Sequence, residues 1–251
     1  IWKYAARKSV LGSPVIFNGK VYVGASDGCF RALDLKKGKA VWTYSDVQGF
    51  IECRAYIDKE QVVFGSWGNR LYSLDPQTGS LQWEWMCEKP SRMYSPAAVW
   101  PVKADGKIFI AVPDRRLYAL DAATGKELKH YDRAAREAVG VSPDGKKVYC
   151  KSMWHTITSV DAATLEKDWQ TETGAGYEIS PTPIVRAGDE VIMPTDKGNI
   201  IGFSAVDGSR LWARKISIAL VNPMQVWTEG TNTYILASTM DGTVTLLRKN
   251  L

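Results

Sequence analysis

Residues 21–42 read VYVGASDGCFRALDLKKGKAVW, and near-copies of this stretch recur along the chain, so its reading decides the fold. It opens on an alternating apolar strand, Val21, Val23 and Ala25, then turns at Asp27-Gly28, a pair that tolerates the positive φ of a tight hairpin. Phe30 to Asp34 make the next strand, Lys37-Gly38 the next turn, and Val41, Trp42 and Tyr44 mark a further strand of aromatic and β-branched residues. Ahead of the stretch, Ser13 to Gly19 reads as a short strand ending in an Asn-Gly hairpin signal. Each unit is therefore expected to be four antiparallel strands.

The second copy runs through Arg70-Leu71-Tyr72-Ser73-Leu74-Asp75, Thr78-Gly79 and Trp83, and the third through Arg116-Leu117-Tyr118-Ala119-Leu120-Asp121 and Thr124-Gly125. A fourth passes Thr158-Ser159-Val160-Asp161 to Trp169, and a fifth Ile200 to Ser204, Asp207-Gly208 and Trp212. Positions 34, 75, 121, 161 and 204 are spaced by 41, 46, 40 and 43 residues, the period of a propeller or an array whose loops vary in length. A Trp stands four residues after the turn Gly or its equivalent at Trp42, Trp83, Trp169 and Trp212, while the third unit has Lys129 there. These tryptophans are expected to be wedged between neighbouring units.

A sixth unit, Tyr234 to Leu247 with a turn at Asp241-Gly242, lacks a Trp strand, and Ile1-Trp2-Lys3-Tyr4-Ala5 matches that missing strand. The expectation is an all-β, six-bladed β-propeller of four-stranded antiparallel blades, its ring closed by the N-terminal strand pairing with Thr243 to Leu247. Residues 1–251 read as a single domain, since no Pro- or Ser-rich linker interrupts them.

The unit resembles the PQQ-like β-propeller repeat: a Val-Tyr-Val-Gly strand, an Asp-Gly turn, a Leu-Tyr-Ala-Leu-Asp strand, a Thr-Gly-Lys turn and a Trp strand. That resemblance covers nearly the whole chain. It implies tryptophans docked between blades. The family includes quinone-dependent dehydrogenases and BamB-like lipoproteins of outer-membrane protein assembly, which have more blades than are counted here. A bacterial protein of the periplasm, the cell envelope or the secreted fraction is implied, and the start at Ile1 is compatible with a fragment of a longer exported protein.

Hydrophobic residues make up 45% of the chain, ample for a core, and no apolar run approaches the roughly 20 residues of a membrane-spanning helix. The net charge of +5, from 32 basic and 27 acidic residues, is scattered in pairs at most, which argues against a nucleic-acid footprint. Cys29, Cys53, Cys87 and Cys150 show no Cys-x-x-Cys spacing and read as buried thiols, with a Cys53–Cys87 bridge as the alternative pairing. No nucleophile elbow, phosphate loop or zinc helix is present, and His130 and His155 stand in different units. The vicinal cysteines of many quinone-dependent alcohol dehydrogenases are missing, so no catalytic residue, metal or cofactor is expected. Asp27, Asp196 and Asp241 are expected to serve the amides of their own turns.

The segments that cross from one unit to the next share a face with the hairpins between second and third strands, and in a propeller they converge on the channel mouth. Ligand-binding candidates there are Arg54, Arg92, Tyr94, Arg136, Glu137, Tyr177 and Glu178, with Trp67, Arg115, Arg116, Trp154 and His155 on the hairpins around them. The favoured function is a non-catalytic binding or scaffold module, its loop face holding a protein partner or a small anionic ligand. The alternative is an enzyme, or the recognition domain of a larger hydrolase, acting on a small anionic or saccharide ligand in the channel.

Overall fold

The computed structural model describes the chain except residues 89–95, 97, 98, 113, 134, 136, 137, 180, 181 and 251. The chain divides into two compact units, residues 1–130 and 131–251.

In the first unit, the first sheet holds β1 (Val15–Phe17), β2 (Lys20–Gly24), β3 (Phe30–Asp34) and β4 (Ala40–Tyr44) in sequential antiparallel order. The second holds β5 (Tyr56–Ile57), β6 (Val62–Gly65), β7 (Arg70–Leu74) and β8 (Leu81–Met86). The third holds β9 (Val102–Ala104), β10 (Lys107–Ala111), β11 (Leu117–Asp121) and β12 (Glu127–Tyr131), at whose end the first unit closes. The second unit repeats the order in β13 (Val139–Val141), β14 (Lys147–Lys151), β15 (Thr156–Asp161) and β16 (Lys167–Glu172), and again in β17 (Val185–Ala187), β18 (Glu190–Pro194), β19 (Asn199–Ser204) and β20 (Arg210–Lys215). Its last sheet has three strands, β21 (Gln225–Glu229), β22 (Asn232–Ser238) and β23 (Val244–Asn250).

Identical chemistry produces the repetition. In the first four sheets the Asp at the end of the third strand caps its own turn: Asp75 Oδ1 accepts the amides of Gln77 and Thr78, and Asp161 Oδ1 those of Ala163 and Thr164. These bonds hold Asp75 below the usual carboxylate range, chiefly through the Thr78 amide. In the fifth repeat Ser204 Oγ does the same work more weakly, accepting Val206 N and Asp207 N at 3.3 and 3.4 Å. A bulge falls at the same place in four third-to-fourth strand pairs, at Ala32/Leu33, Ser73/Leu74, Ser159/Val160 and Gly202/Phe203.

Three tryptophans dock as expected. The indole N–H of Trp42 donates to Pro76 O, that of Trp83 to Ala122 O and that of Trp169 to Ala205 O, each on the turn of the following sheet. Each ring lies on the turn glycine: a Cβ at Gly79 would stand 2.6 Å from Trp42, and one at Gly125 2.7 Å from Trp83. The fourth sheet's turn has Leu165 there instead, at φ 59°, and it follows the one repeat with Lys129 in place of Trp. Tyr131 substitutes, its hydroxyl donating to Leu165 O at 2.9 Å. Without an indole to admit, a side chain is tolerated at that turn.

Trp212 departs from the expectation. It lies over its own sheet, a Cβ at Gly202 falling 2.3 Å from the indole, and donates to Glu190 Oε2. The physical reason lies in the last sheet, where Arg248 stands in place of the turn Asp or Ser and β23 continues through it as strand.

The N-terminal segment is a partial correction. Trp2 does occupy the docking position, donating to Leu35 O at 2.8 Å, and a Cβ at Gly38 would stand 2.4 Å from its ring. Residues 1–6 form no strand, however, and β23 is the edge of its sheet. Side chains and single backbone bonds fasten the segment instead: Tyr4 lies against the Arg31 guanidinium, Arg7 N donates to Asp27 and Ser26 N to Ser9 O.

Each unit has its own core. In the first, Phe30 stacks on Phe64 at 4.2 Å and Phe64 on Tyr72 at 5.4 Å, and Tyr22 meets Trp42 edge-on. In the second, Tyr149, Ile157, Met193 and Phe203 pack with Trp169. Cys29, Cys53, Cys87 and Cys150 form no disulfide; burial pushes the Cys53 and Cys150 thiols up to about 12, so both stay protonated and inert. No helix among the described residues is long and apolar enough to cross a membrane.

Candidate functional site

Strand alternation puts each crossing segment beside the hairpin between the second and third strands of its sheet, and the hydrogen bonds record it. Trp67 N donates to Phe50 O, Thr173 N to His155 O and Val221 N to Thr195 O. Of the seven candidate residues, Arg54, Tyr177 and Glu178 are described; Arg92, Tyr94, Arg136 and Glu137 lie outside the described residues.

In the first unit, Glu52 and Arg54 flank buried Cys53 and each holds an aromatic ring. Glu52 Oε2 accepts the indole N–H of Trp67 at 2.8 Å, and Phe50 stacks on that ring at 5.5 Å. Arg54 lays its guanidinium over Trp100, 5.3 Å from the ring centre, a cation–π contact that leaves its charge exposed. The result is two fixed, half-exposed ring contacts held by one crossing segment. The sequence reading counted Trp67 as an accessory and missed Phe50 and Trp100. An aromatic two residues before Glu52 was visible, but nothing in the sequence tied Trp100 to Arg54.

In the second unit, residues 173–179 form a strap with left-handed turns at Gly174 and Gly176, φ 67° and 78°. Hairpins on either side clamp it: Thr173 N reaches His155 O, Glu178 N reaches Met153 O, and Lys197 Nζ donates to Ala175 O and Tyr177 O. The strap sends its two adjacent candidates in opposite directions. Tyr177 is 53% exposed and Ile179 47%, whereas Glu178 is 2% exposed and pairs with buried Lys151 at 2.9 Å. Glu178 is therefore an anchor rather than a ligand contact at the surface. Asp196 serves this strap through Oδ2, which accepts Ile179 N, where the sequence reading assigned it to its own turn. Asp241 does serve its own turn, accepting Thr243 N and the Thr239 hydroxyl.

Asn69, Arg115 and His155 carry side chains at left-handed positions, φ 62°, 67° and 74°, where the other hairpins place Gly28, Gly198 and Gly242. Such positions cost of order 1–3 kcal/mol each and concentrate at functional surfaces. Trp154, beside His155, is 43% exposed and lines a groove of about 350 Å³ with Arg133, Ser152, Thr156 and Lys167. Among the described residues no three His, Cys, Asp or Glu side chains converge as metal ligands.

Six antiparallel sheets of one design, with loop-borne aromatics on the connecting face, define an all-β propeller of about six blades. The chain belongs to the family described as outer membrane protein assembly factor BamB, which matches residues 1–95 and 92–226. It is 25% identical over 235 residues to the outer membrane protein assembly factor BamB of Nitrosomonas eutropha, covering 87% of this chain and 54% of that one. It is also 27% identical over 194 residues to a quinohemoprotein alcohol dehydrogenase of Comamonas testosteroni, covering 72% of this chain and 22% of the enzyme. The crystal structure of BamB from Moraxella catarrhalis superposes with a TM-score of 0.73 at 19% identity, covering 98% of this chain and 76% of that one. The chain thus spans about half the length of the assembly factor and about a fifth of the enzyme.

Proposed function

We propose that this chain is a non-catalytic scaffold of the bacterial cell envelope that contributes to outer-membrane protein assembly by holding a polypeptide partner on its loop face. The observation that carries the reading is the pair of ring contacts, Phe50 on Trp67 and Arg54 over Trp100, in which each ring is held by a stacking, hydrogen-bonding or cation–π partner and still reaches solvent. Rigid, half-exposed Trp and Arg side chains are the residue types that dominate protein-binding energy, because they bury large area with little loss of side-chain freedom. In the second unit Tyr177, Ile179 and Trp154 are exposed on loops of their own. A small anion is the weaker fit, since Glu178 neutralises Lys151. The dehydrogenase likeness covers only 22% of that enzyme, and its chemistry is not carried over.

Photo-crosslinking residues at positions 67 and 177, introduced in the native host, test this directly. The expected result is capture of one discrete protein partner from both positions and none from position 81, an exposed site on the outer strand β8. Capture from position 81 alone, or from no position, would contradict the reading.

A further inference from the structure

Next to Tyr177 in the strap, the second unit buries an ion pair, with the half-buried Asp196 carboxylate at the same strap. Lys151 on β14 and Glu178 on the strap are 3% and 2% exposed, and Lys151 Nζ donates to Glu178 Oε2 at 2.9 Å. The other oxygen, Glu178 Oε1, is buried with no hydrogen-bond partner, and so is Oδ1 of Asp196, whose Oδ2 accepts Ile179 N at 3.0 Å. Two buried carboxylate oxygens left without a partner are costly. They are costly only while both carboxylates are ionised. With one proton added, one carboxyl donates to the other, both orphans are satisfied, and one Lys charge faces one net negative charge.

We propose that Glu178 holds a proton that it donates toward Asp196, and that this proton fastens the 173–179 strap in the form that presents Tyr177 and Ile179. Partner binding at this end of the loop face is then proton-linked, a step that rests on the function proposed above. Glu178 is the group that takes up the proton. Burial pushes its carboxyl up, Lys151 opposes that rise, and the charge and hydrogen bond of Asp196 add to it. The charged groups facing it are Lys151 from β14 and Asp196 from the hairpin between β18 and β19; Lys197 of the same hairpin is occupied by the strap carbonyls.

The sign follows from linkage. A carboxyl raised in the folded state binds its proton more tightly there than in the unfolded chain. Its stabilisation is complete below the ordinary value of 4.5 and is lost as pH rises through the raised value. Above that point the cluster carries two carboxylates against one ammonium, Glu178 and Asp196 repel, and the strap is released at its Ile179 end.

Hydrogen exchange of the strap amides in the full chain, corrected for the intrinsic pH dependence of exchange, reads this out. In the wild-type protein, protection of residues 174–179 is expected to fall by up to tenfold per pH unit through the transition, as loss of one proton requires. Glu178→Gln, whose amide donates permanently toward Asp196, is expected to flatten the profile, and Asp196→Asn to flatten it by donating toward Glu178. Identical profiles for the wild type and a folded variant would overturn the proposal. So would a Glu178 carboxyl resonance titrating at or below 4.5, or strap protection that follows added potassium or magnesium rather than pH. The crosslink at position 177 separates the two claims. Strap titration without any pH dependence of capture would leave the proton site standing and refute its link to binding.

Discussion

Replacing Trp83 by Ala is expected to destabilise the protein by about 3–5 kcal/mol, the range for deleting a large buried aromatic. The residue is 7% exposed, and it gives up both its bond to Ala122 O and the ring surface laid on Gly125. The companion substitution tests the mechanism. Gly125 has φ 71°, and a Cβ there would stand 2.7 Å from the Trp83 ring. Gly125→Ala is therefore expected to cost the backbone strain of about 1–2 kcal/mol plus the displaced indole. In the Trp83→Ala background only the strain remains, because the clashing ring is gone. Urea denaturation of the four proteins of this cycle checks it, and additive costs would show that ring and turn do not meet. Leu165 is the natural precedent, a side chain at the same turn position in the repeat that receives no Trp.

Asp27→Ala is expected to be as damaging, again about 3–5 kcal/mol, the cost of leaving one buried charge without its partner. The Asp27 and Arg31 side chains are 4% and 5% exposed, and Asp27 binds two guanidinium nitrogens and the Arg7 amide. Arg31 cannot shed its proton to escape. Burial works against the Asp27 charge, but the hydrogen bond and charge of Arg31 override it and hold the carboxyl below its ordinary value of 3.8. The pair's contribution is present above that value and lost as pH falls through the folded one. The variant should accordingly lack part of the wild type's acid sensitivity. A thermal melt within about 1 kcal/mol of the wild type would show that water reaches Arg31, since surface ion pairs are worth no more than that. Lys151→Met makes the contrast: Glu178 can take up a proton, so removing its partner is expected to cost less than removing Asp27.

The repeat, the turn carboxylates and the docking tryptophans were legible in the sequence because each is local and recurs. Asp75, Gly79 and Trp83 lie within nine residues and carry their meaning in their spacing. What escaped depended on neighbours far along the chain. Trp212 shares its repeat's pattern, yet β23 continues as strand through Arg248, where the other sheets turn, and the indole lies on Gly202. Tyr131 replaces a Trp two residues from the expected place, and only the position of Leu165 reveals why. At the candidate site, Tyr177 and Glu178 read alike as polar loop residues. The strap's two glycine turns send one to solvent and the other to Lys151. Arg54 was read as a ligand-binding candidate with no sign of its ring contact, because Trp100 is 46 residues away in the chain.

The claim that the loop face serves outer-membrane protein assembly is tested most directly by replacing the native gene with Trp67→Ala, Tyr177→Ala and the double variant, and measuring how fast newly made outer-membrane proteins are assembled. The account predicts slower assembly in each single variant and the slowest in the double, with each variant present at the wild-type level and melting as the wild type does. Assembly at the wild-type rate in the folded double variant would contradict it.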